Sequence, residues 1–252
     1  MKFYNCVVLQ IRTGDLRENE ANIRTILEKK PDLIELRFDY IDNVEDITQD
    51  LLEHLLSLIQ PIIPAIFTFR DSLEGGQMEI DEAQRFEILK TLVKARPRYF
   101  DIEMITKYEI LLEIVNLAAS NNVILIFSYH NFEQTFTYEK SVEMVEAFVN
   151  KLCCNVDPKI VEESVYKVIF TAQSFEDILV PIKLCKTYSQ NGHRIISFCM
   201  GEPGIFSRIA CVKAGAFFTY VSVENKTAPG QISLEEMREF QKLLFSWNGL
   251  IK

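Results

Sequence analysis

The chain has 252 residues, 48% of them hydrophobic and 25% charged, which supports one large buried core and a single domain, residues 1–252, of α/β-barrel size. A formal net charge of -9 argues against a general nucleic-acid-binding surface, because neutralising phosphates needs a basic face. No apolar run approaches the roughly 18 to 20 residues of a membrane span, and the opening MKFYNCVVLQIRTGD turns polar too early for a signal peptide, so a cytoplasmic protein is expected.

Short apolar or β-branched runs alternate with longer amphipathic stretches along the whole chain. A first strand is predicted over 3–11 and its helix over 17–30. The second strand, near 33–38, carries DLIELRFDY, whose alternation puts Glu35, Arg37 and Asp39 on one face; a helix over 45–59 follows. The third, 62–68, leads into FTFRDSLEGG, with Arg70 and Glu74 beside a Gly75-Gly76 turn, then a helix over 79–95. The fourth, 98–103, brings Asp101 and Glu103 and precedes a helix over 105–119. The fifth, 122–128, ends at Ser128 and His130 before a helix over 137–152. The sixth, 164–170, contains Lys167 in ESVYKVIF and precedes a helix over 174–188. The seventh, 193–198, opens into CMGEPGIFSRI and a helix over 204–213. The eighth, 216–221, leads through NKTAPGQIS to a helix over 233–246.

Crossover helices between successive strands imply a parallel sheet, and eight units of this length close most simply into a (β/α)8 barrel. A doubly wound open sheet competes, but no G-x-G-x-x-G turn follows the first strand. In a barrel the chemistry belongs at the C-terminal ends of the strands, and the polar residues just named collect there.

Six cysteines, with no C-x-x-C pair, read as reduced and mostly buried thiols, and three histidines are too scattered for a metal motif. A mechanism without metal is the expectation. Glu35, Arg37 and Asp39 read either as an ion-pair network fixing the barrel interior or as a polar floor under a hydroxylated or anionic ligand.

His130 follows a buried run, where a lone histidine is more often a hydrogen-bonded core residue. Glu74, at its tight turn, can reach across the barrel mouth to orient it as an acid/base. His54 within a helix and His193 at the wrong end of its strand read as structural.

An arbitrary lysine in a strand snorkels its head into water. Lys167 reads either so or as an amine desolvated in the barrel beside Arg37, Arg70 or Arg208, able to condense with a ketone to an iminium. Gly201, Gly204 and Arg208 at a helix start form an anion site suited to a carboxylate or a phosphate. Thr227 and Gln231, around a Pro-Gly turn, suit a hydroxylated ligand, and this last loop reads as a lid.

Taken in order, ELRFD, FRDSLEGG, DIE, SYHNFEQT, YKV, MGEPGIFSRI and TAPGQ resemble the type I 3-dehydroquinate dehydratases, from the second strand to the eighth helix. Single pieces are weak; seven in order are specific. The resemblance implies a homodimeric (β/α)8 enzyme of the shikimate pathway that dehydrates 3-dehydroquinate through a Schiff base, without metal or cofactor. It implies Lys167 as the Schiff-base lysine, His130 as general acid/base and Glu74 as its partner. Glu35, Arg37, Arg70, Arg208 and Gln231 match substrate-binding positions, Arg208 anchoring the carboxylate. Thr227 stands where the family usually has Ser, and Cys199 where Ser usually precedes Met-Gly; neither removes a catalytic group. The first strand matches least.

Two rivals remain at this point: a class I aldolase or transaldolase-like barrel, which also forms a lysine iminium, and a catalytically silent scaffold. The second expects Lys167, His130 or Glu74 to be replaced, and all three are present.

Overall fold

Each predicted strand forms one member of a parallel sheet in the computed structural model, which describes residues 4–223 and 230–246. The strands are β1 (Asn5–Gln10), β2 (Leu33–Arg37), β3 (Ala65–Thr68), β4 (Tyr99–Glu103), β5 (Ile124–His130), β6 (Val165–Thr171), β7 (Arg194–Met200) and β8 (Thr219–Val221). Between and after them run α1 (Leu16–Glu28), α2 (Gln49–Ile59), α3 (Glu82–Lys94), α4 (Tyr108–Ser120), α5 (Tyr138–Cys153), α6 (Pro158–Glu163), α7 (Leu179–Gln190), α8 (Ile205–Ala214) and α9 (Leu234–Ser246).

The sheet order is β7-β6-β5-β4-β3-β2-β1-β8, so each strand lies beside its successor and β8 returns to β1. Phe217, just before β8, donates its N–H to Ile195 O of β7 at 2.7 Å and draws the remaining edges together. This is a nearly closed (β/α)8 barrel.

Side-chain alternation then divides the strands between two cores. Leu36, Phe67, Phe100 and Leu125 stand level on neighbouring strands and are sealed beneath the helices. Truncating a phenylalanine in such a layer costs about 3–5 kcal/mol. Their strand neighbours of opposite parity, Glu35, Asp101, Ser128 and Lys167, point into the barrel, where the polar chemistry lies.

Helix starts are capped locally: Asp15, Thr48, Asp81 and Thr137 each accept backbone N–H from the first turn. The structure adds what periodicity did not predict. Residues 155–163 contain the short α6, capped by Asp157 with Pro158 at its first position. The helix predicted from 174 opens as a 3-10 turn, Phe175–Ile178, before α7. Strand β2 stops at Arg37, and Asp39 sits in a 3-10 turn, Phe38–Tyr40, rather than on the strand face with Glu35. No described helix is long and apolar enough to cross a membrane.

Candidate active site

Parallel register places the inward-facing groups in adjoining positions: Glu103 stands level with Ser128, and Ser128 with Lys167. Arg70, just past β3, ties them together. Its NH1 donates to Glu103 Oε1 at 2.7 Å and to Ser128 Oγ at 2.6 Å, and its NH2 donates to Asp101 Oδ1 at 2.8 Å. Ser128 Oγ in turn donates to Asp101 Oδ1 at 2.6 Å. Arg85 of α3 pairs with Glu103 from behind. Burial acts against every charge in this cluster, so only their mutual pairing makes it tolerable. For Asp101, burial pushes the carboxyl up, but Arg70 and Lys167, with hydrogen bonds from Ser128 and Lys167, outweigh it and hold it below the usual carboxylate range.

Lys167 lies in this cluster. It is only 5% exposed, which rules out a head snorkelled into water. Its Nζ donates to Asp101 Oδ2 at 3.0 Å and lies 4.5 Å from the centroid of the Tyr220 ring. The sequence expectation surrounded it with cations alone; the group in contact is a carboxylate.

His130 ends β5, and Glu74 reaches it from the loop after β3, as its tight turn suggested. Glu74 Oε2 lies 2.8 Å from His130 Nδ1 and accepts the His130 backbone N–H at 3.0 Å. Nδ1 is thereby occupied, leaving Nε2 as the ring nitrogen for chemistry. The loop needs its glycines: Gly75 has a φ of +83°, and a Cβ on Gly76 would stand 2.1 Å from Arg70 O. Asp39 holds the same loop from below, accepting N–H groups from Arg70 at 3.3 Å and Gln77 at 3.1 Å while gripping Arg37 through two 2.7 Å contacts.

Arg208, at the start of α8 and 1% exposed, lies with its Cζ 4.3 Å from the Phe198 ring centroid. Burial pulls its guanidinium down to about 10, so it is still a cation at neutral pH and is desolvated enough to gain from an anion. The preceding turn approaches closely: a Cβ on Gly204 would stand 2.6 Å from Met200 O. Gln231 is buried beside the barrel mouth.

One cavity of about 100 Å³ is lined by Glu35, Arg37, Arg70, Glu74, His130, Lys167, Arg208 and Gln231. Of the sequence-predicted site residues these eight meet in the cavity, whereas Asp39, Gly201 and Gly204 support it from outside its lining, and Thr227 lies outside the described residues together with most of the predicted lid. Within it the roles divide. Arg37 and Arg70 are already engaged by protein carboxylates, and Glu35 Oε1 accepts from Thr68 Oγ1 at 2.6 Å. Val8, Phe132, Ile169, Phe198, Met200 and Tyr220 complete the wall. These were not singled out from sequence: an apolar residue on a strand gives no sign of which cavity it faces until the register is known. Asp101 was visible in DIE as a polar strand end, but its contact with Lys167 spans 66 residues and depends on the barrel closing.

The family model for Type I 3-dehydroquinase matches residues 6–247. A 3-dehydroquinate dehydratase of Thermococcus gammatolerans is 31% identical over 229 residues, covering 90% of this chain and 93% of the relative. The crystal structure of the type I 3-dehydroquinate dehydratase from Clostridium difficile, with covalently modified comenic acid, superposes with a TM-score of 0.80 at 27% identity, covering 96% of this chain and 92% of the other. That of the Geobacillus kaustophilus 3-dehydroquinate dehydratase has a TM-score of 0.82 at 22% identity, covering 98% and 93%, and bears on the fold.

Proposed function

The chain belongs to the type I 3-dehydroquinase family, and on that premise we propose that it is the hydro-lyase converting 3-dehydroquinate to 3-dehydroshikimate and water through a Schiff base on Lys167. The observation carrying this reading is a single cavity that unites Lys167, the Glu74-tied His130 and Arg208 at the C-terminal ends of the strands.

The Lys167 amine attacks the substrate ketone, forming the N–C bond of a carbinolamine. His130 assists loss of its hydroxyl as water to give the iminium. The iminium draws electrons from the adjacent carbon, whose proton passes to His130 Nε2. The resulting enamine expels the β-hydroxyl, which leaves as water with the proton that His130 returns. Water then hydrolyses the product iminium and frees Lys167. Glu74 orients the imidazole, while Arg208 binds the substrate carboxylate and Gln231 its hydroxyls. Glu35, Arg37 and Arg70 form the polar floor, Arg37 with two of its N–H groups on Asp39 and Arg70 with three on Asp101, Glu103 and Ser128. Thr227, by its place in the family motif, adds a hydroxyl to the ligand shell.

Family membership also supports a homodimer acting in the cytoplasm within the shikimate pathway, towards aromatic amino acids. Product analysis tests the reading. Incubation with 3-dehydroquinate is expected to build up ultraviolet enone absorbance; release of a smaller aldehyde would contradict dehydration and restore the aldolase alternative.

Arg208→Ala is expected to weaken substrate binding by roughly 1.5–3 kcal/mol, the scale for losing a charged hydrogen-bonded partner. Lysine should rescue poorly, since a point charge lacks the planar fork. Titration of substrate against Arg208→Lys checks this, and undiminished affinity would count against a bidentate carboxylate contact.

A further inference from the structure

Asp101 touches the reacting nitrogen, yet the steps above give it no part. It is 1% exposed, and both of its oxygens are held: Oδ1 by Ser128 Oγ at 2.6 Å and Arg70 NH2 at 2.8 Å, Oδ2 by Lys167 Nζ at 3.0 Å. With three donors on two oxygens, the carboxylate cannot turn away from the lysine. On its other side Nζ meets the Tyr220 ring, 4.5 Å from its centroid.

Other charged groups also face this point. They come from β2 (Glu35 and Arg37), from just past β3 (Arg70), from the loop that follows (Glu74), from β4 (Glu103), from β5 (His130) and from α8 (Arg208). Among the described residues, Asp101 is the carboxylate hydrogen-bonded to Nζ.

Condensation of an ammonium with a ketone balances without any other proton donor. One N–C bond forms, the C=O bond breaks, two nitrogen protons leave with the oxygen as water, and one stays on nitrogen. The nitrogen therefore carries a positive charge at both ends of the step. In the iminium its single N–H lies in the plane of the C=N group and has one direction in which to donate.

We infer that Asp101 is the counter-ion of Lys167 through the whole condensation, its Oδ2 accepting first from the ammonium and then from the one iminium N–H. That contact fixes the plane of the C=N group and so the face of the substrate turned to His130. Ser128 and Arg70 are positioning residues that clamp the carboxylate. The inference rests on the Schiff-base reading proposed above.

Asp101→Asn keeps the shape and removes the charge. The readouts are the rate at which 3-dehydroquinate forms a borohydride-trappable adduct and the rate at which the preformed adduct passes to product. Without the contact that fixes the C=N plane, the second rate is expected to fall by about tenfold or more. A role confined to packing would leave both rates in place in this isosteric variant, and unchanged rates in a folded variant overturn the inference. Failure of the unsubstituted enzyme to form any adduct would instead overturn the Schiff-base reading itself.

If Asp101→Asn does not fold, a crystal structure of the reduced adduct of the unsubstituted enzyme decides. Nζ is expected within about 3 Å of Asp101 Oδ2, and a separation beyond about 4 Å overturns the inference.

Discussion

Lys167→Ala is expected to lower turnover by about 10⁴-fold or more, because it removes the nucleophile and with it the electron sink for proton abstraction. Substrate binding should persist, since Arg208 and Gln231 are untouched and line the same cavity. The variant should also melt at a lower temperature. Asp101 loses one of its three donors while staying buried, and the loss of one partner by a buried polar group costs about 1–3 kcal/mol. Arg70 and Ser128 remain on Oδ1, which keeps that cost moderate and the fold intact. Steady-state kinetics with a thermal melt of the same sample separates the two effects. Turnover within about tenfold of the unsubstituted enzyme would remove Lys167 from the chemistry.

For His130→Ala the expected result is near-complete loss of turnover, with an adduct at Lys167 that still forms and can be trapped. General acid/base groups contribute about 10²–10⁴-fold, and one group serving several steps exceeds the lower part of that range. The dyad's electrostatics add a pH signature. Burial, then the cations Arg70, Lys167 and Arg37, push the imidazole well below its ordinary 6.5, so the neutral form persists as pH falls through that value. Burial pushes Glu74 up to about 9, against the opposing pull of Arg70, so its carboxyl keeps a proton at neutral pH and loses it as pH rises through about 9. The pair is therefore uncharged near pH 7.

In the unsubstituted enzyme, single-turnover release of product from the preformed adduct should hold its rate below pH 6.5. Glu74→Gln should cost less than His130→Ala while moving this profile, because Glu74 contacts Nδ1 whereas the proposed proton transfer uses Nε2. Near-normal turnover by His130→Ala at saturating substrate would assign the base to another group.

The eight strand–helix units were legible because hydrophobic period and turn residues act locally. The Gly75-Gly76 turn likewise placed Glu74 within reach of His130, as the 2.8 Å contact bears out. What escaped depends on tertiary register. Asp39 leaves the strand for a 3-10 turn, where it receives two backbone N–H groups that no alternation pattern predicts. Lys167 was read as lying among arginines, whereas barrel closure sets Asp101 against it. Arg70 was matched to a substrate-binding position through the family resemblance, and nothing in the sequence signalled that its terminal nitrogens also reach Asp101, Glu103 and Ser128. Tyr220 and Phe198 face the cavity only because β7 and β8 bring their inward sides together, a fact invisible in either strand alone.

The Schiff base on Lys167 is tested most directly by reducing the enzyme with borohydride in the presence of 3-dehydroquinate and mapping the digested protein by mass spectrometry. The expected result is inactivation together with one reduced ligand mass on the peptide that contains Lys167. An active enzyme with no adduct, or an adduct on any other lysine, would contradict it.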